Sequence, residues 1–110
     1  MPIKKTITIK NSRLIDDDFS KFVGLMFSKK QKKSLIFRFN KERIIRLHMF
    51  FVFYPIDVLF LDKNRAIVDI KENFKPFAIY KSRKKAMYAI EIPYGMVRKS
   101  KIKIGNKIIF

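Results

Sequence analysis

The chain contains no cysteine. That excludes disulfides, iron–sulfur clusters and cysteine-type zinc sites, and it fits a reducing compartment. There is no tryptophan and only one histidine, His48, so one chain holds no multi-histidine metal site. The three glycines, Gly24, Gly95 and Gly105, stand apart and form no phosphate-cradling loop, which argues against ATP- or NAD-dependent chemistry. None of Ser12, Ser20, Ser28, Ser34, Ser82 and Ser100 sits in a G-x-S-x-G context. Long hydrophobic runs are absent too. The longest, Leu47 to Leu61, is broken by His48, Pro55 and Asp57 and is too short to span a bilayer. Met1 to Lys10 alternates charge with isoleucine and lacks an apolar signal region. Expected, then, is a cytoplasmic protein with no membrane span, metal or cofactor.

Acids are scarce: nine Asp and Glu face 26 Lys and Arg, a formal net charge of +17. Such a field attracts polyanions, whether RNA, DNA or an anionic membrane surface. The compositional alternative is the AT-rich genome of a thermophile, which supplies Lys and Ile with no partner in view. The cations cluster as Lys29, Lys30, Lys32 and Lys33, as Lys81, Arg83, Lys84 and Lys85, and as Arg98, Lys99, Lys101 and Lys103. Tyr80 and Tyr94 border two of these clusters. Cations for phosphates beside rings for bases are what a nucleic-acid binder combines. With no RNP motif or zinc finger, binding would be backbone-led. The alternative is a solvated loop surface.

The 110 residues make one expected domain, 1–110, and 48% hydrophobic residues with twelve Phe supply its core. Thr6 to Lys10 alternates as a half-buried strand. Asp16, Asp17 and Asp18 precede Phe19, Phe22, Val23 and Met26, which share one helical face, so a short helix is expected near residues 19–27. Leu35, Phe37 and Phe39 alternate as a strand, Asn40 to Arg43 read as a loop, and Leu47 to Phe53 read as a second strand. Val58 to Leu61 is apolar throughout, as in a central strand buried on both faces. Asp62 to Arg65 reads as the turn of a hairpin whose second strand carries Ala66, Val68 and Ile70. Phe77 to Tyr80, Tyr88 to Ile92 and Lys107 to Phe110 complete the strands, the last after a Gly105-Asn106 turn. Seven or eight short strands, one helix and no βαβ rhythm predict a mainly β sandwich or small barrel.

Gly24-Leu25-Met26, His48-Met49, Pro55-Ile56-Asp57 with its apolar strand, Glu91 to Gly95 and Gly105-Asn106 occur in that order. Together they resemble the domain of unknown function 192 family, also called the UPF 0127 group, over about Phe22 to Phe110. The family's pattern is GLM, a Met before P-[LI]-D, LE-x-x-x-G and GD. Two positions depart from it. Asn106 stands where the family has Asp, and His48 stands where many bacterial members have Trp. The resemblance implies a small, mainly β domain and no activity. Some members are exported, and this chain shows no signal for it.

Asp57 is the most informative residue, a carboxylate within the most apolar stretch. So placed, it must be hydrogen-bonded, paired or shifted in pKa. It serves a site or accepts backbone N–H groups at the Tyr54-Pro55 turn. His48, Asp57 and Glu91 form a candidate polar cluster for a ligand or for acid–base work, against the alternative of three unrelated strand-edge residues. Met49, Phe51 and Phe53 are candidate pocket residues, since only alternate side chains of a strand face the core. The favoured reading is a non-enzymatic binding module for RNA or another polyanion. A small-ligand or hydrolytic site near Met49, Asp57 and Glu91 is one alternative, and a homodimer joined through an aromatic patch is another.

Overall fold

The computed structural model describes residues 6–9, 12–15 and 34–110. The helix expected near residues 19–27 and the Lys29 to Lys33 cluster lie outside the described residues. At the centre are two largely apolar strands. Strand β5 (Ile56–Leu61) is buried at every position, and strand β8 (Ala86–Pro93) pairs with it antiparallel. Strand β3 (Ser34–Arg43) flanks β8, and β2 (Ser12–Ile15) adds to β3 in parallel. On the other side β6 (Ile67–Phe74) completes a five-stranded sheet in the order β2-β3-β8-β5-β6. The β5–β6 turn forms as expected, with Asp62 Oδ1 accepting from Asn64 N at 2.8 Å and Ala66 N at 3.0 Å.

Each face of this sheet carries its own core. Leu35, Phe37, Val58, Phe60 and Ala89 share one face. It is covered by the segment Met49 to Tyr54 and by a two-stranded ribbon of β4 (Arg46–His48) and β7 (Ile79–Lys81), which press Leu47 and Tyr80 inward. Ile36, Leu59, Leu61, Ile90 and Ile92 share the opposite face. Its cover is a parallel ribbon of β1 (Thr6–Thr8) and β9 (Lys107–Ile109) together with a one-turn helix, α1 (Met96–Lys99). The fold is therefore mainly β and sandwich-like. Among the described residues the strands do not close into a barrel.

Four local expectations change. Asn40 to Arg43 continues β3, with a register irregularity between Arg38 and Arg43, and is not a loop. Leu47 to Phe53 is strand only to His48, because the chain turns at Met49 to Val52. Ser12–Ile15 and α1 were not foreseen as elements. The β5–β6 pairing slips between Phe60 and Leu61, so Ile67 joins the core beside Leu61, while Asp69, paired with Phe60, is buried on the ribbon-covered face. Asp69 then ties the ribbon down, its Oδ2 accepting from Tyr80 Oη at 2.7 Å and from Arg83 N at 2.9 Å. Burial and that bond together raise the Tyr80 phenol pKa.

Candidate functional site

Asp57 is wholly buried on β5, and its carboxylate is solvated by backbone amides. Oδ1 accepts from Asn73 N at 3.0 Å. Oδ2 accepts from Gly95 N at 3.0 Å and from Val97 N at 3.1 Å. Asn73 has φ 49° and sits in a bulge, since β5–β6 register slips between Ile56 and Val58 and leaves two β6 residues opposite Asp57. Gly95 has φ 87°, which glycine adopts without steric penalty, and it turns the chain from β8 into α1. Asp57 thus joins a strand bulge to a strand–helix turn. As expected, it accepts backbone N–H groups, but these come from Asn73, Gly95 and Val97 and not from the Tyr54-Pro55 turn. Between bulge and turn opens a cleft of about 400 Å³ lined by Glu72, Asn73, Tyr94, Gly95, Arg98 and Lys99.

The three members of the expected polar cluster are not brought together. Asp57 pairs with Ile92 and Val58 with Glu91, so Asp57 and Glu91 point to opposite faces of the sheet. Glu91 lies between Leu35 and Val58 on the ribbon-covered face, and burial pushes its pKa up to about 8. His48 sits out on β4 opposite Ile79, where its ring stacks on Phe50 at 4.7 Å and Nδ1 accepts from Phe50 N. Among the described residues no group of three His, Asp or Glu is placed to hold a metal.

The candidate pocket residues also divide. Met49 is packed in the core, while Phe51 and Phe53 are exposed, Phe53 by 62%. The two exposed rings meet Phe77 edge to face, at 6.1 and 5.6 Å. Phe51 and Phe77 occupy third positions of neighbouring turns, closed by Val52 N to Met49 O and Ala78 N to Lys75 O. Two further bonds, Met49 N to Ala78 O and Phe77 N to Met49 O, lace the turns together. Both phenylalanines have positive φ, 59° and 61°, in a region that a bulky side chain seldom enters. The Pro76-Phe77 pair places proline and positive φ where a type II turn has proline and glycine. That pair is the one local signal by which Phe77 was findable from sequence.

The outward face of the β4–β7 ribbon carries Arg46 paired with Lys81, then His48 paired with Ile79 about 7 Å further along. Arg83, Lys84 and Lys85 follow, all exposed. Arg98, Lys99, Lys101 and Lys103 belong instead to α1 and the segment after it, on the opposite layer. These two basic clusters therefore do not converge. Tyr80 is turned inward onto Phe60 and Asp69, whereas Tyr94 is exposed at the cleft. Arg46, Phe77, Glu72 and Asn73 were not singled out from sequence.

The chain has clear relatives. The UPF0127 protein PH1112 of Pyrococcus horikoshii is 39% identical over 98 residues, covering 87% of this chain and 84% of that protein. A UPF0127 protein of Thermococcus sibiricus is 35% identical over 98 residues, which are 87% of this chain but 63% of that protein, so this chain spans less than two thirds of its length. A Sinorhizobium meliloti 1021 protein, named as a candidate transcription regulator, has a similar crystal structure, with TM-score 0.82 and 27% identity over 87% of this chain and 78% of that one. Among the described residues no helix is long and apolar enough to cross a membrane. The family model of DUF192, described as Uncharacterized ACR, COG1430, matches residues 3–110, and the chain belongs to that family.

Proposed function

We propose that this protein is a non-enzymatic binding module that takes single-stranded RNA on the outer face of the β4–β7 ribbon. One observation carries the reading. Exposed cations (Arg46, Lys81, Lys84, Lys85) and exposed rings (Phe50, Phe51, Phe53, Phe77) belong to the same cover of the sheet. Cations that contact phosphates beside rings that accept stacked bases make a platform for unpaired strands. Two of the rings are held in strained backbone, and strain kept in a folded protein is associated with function. The net charge of +17 supports the same class of partner. Within this reading the protein acts in the cytoplasm as a binding module and not as an enzyme.

Fluorescence anisotropy with a labelled mixed-sequence single-stranded RNA tests the proposal. Affinity should fall with salt at a log–log slope of about −0.7 per neutralised phosphate. Arg46→Gln with Lys81→Gln should flatten that slope. Phe51→Ala with Phe77→Ala should weaken binding about 5- to 150-fold, the range for losing one stacked base. Affinity no better than about 10⁻⁴ M at physiological salt, or full affinity in the Phe variant, overturns the reading. So does binding to anionic vesicles without RNA binding, or a dimer that the Phe variant dissolves without RNA binding.

A further inference from the structure

The cleft beside Asp57 is separate from the ribbon and lies on the other side of the sheet. Its walls are the β6 bulge and the β8–α1 turn, and one buried carboxylate clamps both through three backbone N–H bonds. A gap of about 400 Å³ between clamped walls is of the size that small-molecule sites have. A Cβ built on Gly95 meets nothing within 4 Å, so the space above the turn is open. The residues that line it are chemically mixed: the exposed Tyr94, with Arg98, Lys99 and Glu72. Two cations beside one carboxylate leave a net positive pocket. A guanidinium matches the oxygens of a phosphate in a fork, and an ammonium adds a point charge. A tyrosine ring offers a stacking surface, and a carboxylate accepts from an amino or hydroxyl group.

From these groups we infer that the cleft binds a small phosphorylated ligand with a planar ring, of the size of a purine mononucleotide. The phosphate lies against Arg98 and Lys99, the ring on Tyr94, and a ligand amino or hydroxyl group donates to Glu72. Asp57 does not touch the ligand. It is a positioning residue that holds the two walls at a fixed separation. This inference stands apart from the RNA reading, because it uses none of the ribbon residues.

Amide chemical-shift titration of the whole chain with adenosine 5′-monophosphate, adenosine and inorganic phosphate tests it. The mononucleotide should shift the amides of residues 94–99 and 72–73 and saturate below about 1 mM. Adenosine and inorganic phosphate should each bind at least tenfold more weakly, since each offers half of the chemistry. Arg98→Gln with Lys99→Gln should lose the phosphate-dependent part, at least tenfold, and Tyr94→Ala the ring-dependent part. Arg46→Gln with Lys81→Gln removes the same charge from the other layer and should leave the titration unchanged. Equal weakening in that control means diffuse attraction to a basic surface and overturns the proposal. No saturable shift at residues 94–99 overturns it as well, whatever the RNA experiment finds.

Discussion

The Asp57 corner and the two phenylalanine turns meet the same backbone demand in opposite ways. Both need residues at positive φ. At the corner the demand falls on Asn73 and Gly95, residues that enter that region readily. In the cover of the other face it falls on Phe51 and Phe77, which do not. The carboxylates show the same contrast. Asp57 is buried among three backbone donors, while Glu91, one ladder position away on the opposite face, is buried between Leu35 and Val58 and has its pKa raised by desolvation. At the Asp57 corner residue type, backbone conformation and hydrogen bonding agree. The cover of the other face carries two strained phenylalanines above a desolvated acid, and it also exposes aromatic rings. Local disagreement of that kind concentrates at functional surfaces.

The largest effect should come from breaking the corner. Asp57→Asn keeps the shape but replaces one oxygen by an amide nitrogen, a donor, which then faces N–H groups that are also donors. At least one of the three buried bonds is lost and a repulsive contact replaces it. Hydrogen bonds to a charged group contribute about 1.5–3 kcal/mol each, so a loss of about 3–5 kcal/mol is expected in urea unfolding. A loss below about 1 kcal/mol would show that Asp57 does not hold the corner, and the contrast with Glu91 would collapse.

Glu91 should act through pH. In the folded protein it keeps its proton up to about pH 8, whereas in the unfolded chain it titrates near 4.5. Between those values the folded state binds more protons than the unfolded one. Stability from this group is therefore fully present below 4.5 and is lost as pH rises through about 8. The slope within the window reaches at most about 1.4 kcal/mol per pH unit. The difference between wild type and Glu91→Gln in urea unfolding, followed across the window, isolates it from other titrating groups. A difference that stays flat, or that grows in favour of wild type with rising pH, would remove Glu91 from the comparison.

How much of this was legible depended on whether the cause was local. Val58 to Leu61 announces a strand buried on both faces because four successive apolar residues leave no polar side to expose. Asp62 closed its turn through its own neighbours, two and four residues on. Asp57 could be read as a backbone acceptor from its apolar surroundings, yet its donors lie 16, 38 and 40 residues away, and no local pattern names them. Glu91 and Asp57 seemed able to cluster because sequence does not state register, and one ladder position sends a side chain to the other face. Asp69 sits in an ordinary alternating run, and its register opposite Phe60, which no local pattern states, places it on the ribbon-covered face. Helix α1 is a single turn, too short to show a period.

The smallest expected effect is also the most discriminating, because it concerns an order and not a size. At ordinary positions Ala is more stabilising than Gly, by about 0.5–1 kcal/mol in regular structure. At Phe51 and Phe77 that order should reverse. Phe51→Ala removes the exposed ring but leaves a Cβ at φ 59°, so the strain of about 1–2 kcal/mol stays. Phe51→Gly removes ring and strain together. Against wild type, the glycine variant loses the edge-to-face contact with Phe77, worth about 0.5–1.5 kcal/mol, and gains relief of a similar size. Its stability should lie within about 1 kcal/mol of wild type and above that of Phe51→Ala, and Phe77→Gly should behave alike. Thermal melts of the four variants read this order directly, since 1 kcal/mol moves the midpoint of a domain of about 100 residues by about 4–8 °C. Both kinds of variant should lose RNA affinity equally, because both lack the ring. If the alanine variants are the more stable, the phenylalanine turns carry no strain, and the contrast with the Asp57 corner rests on the two carboxylates.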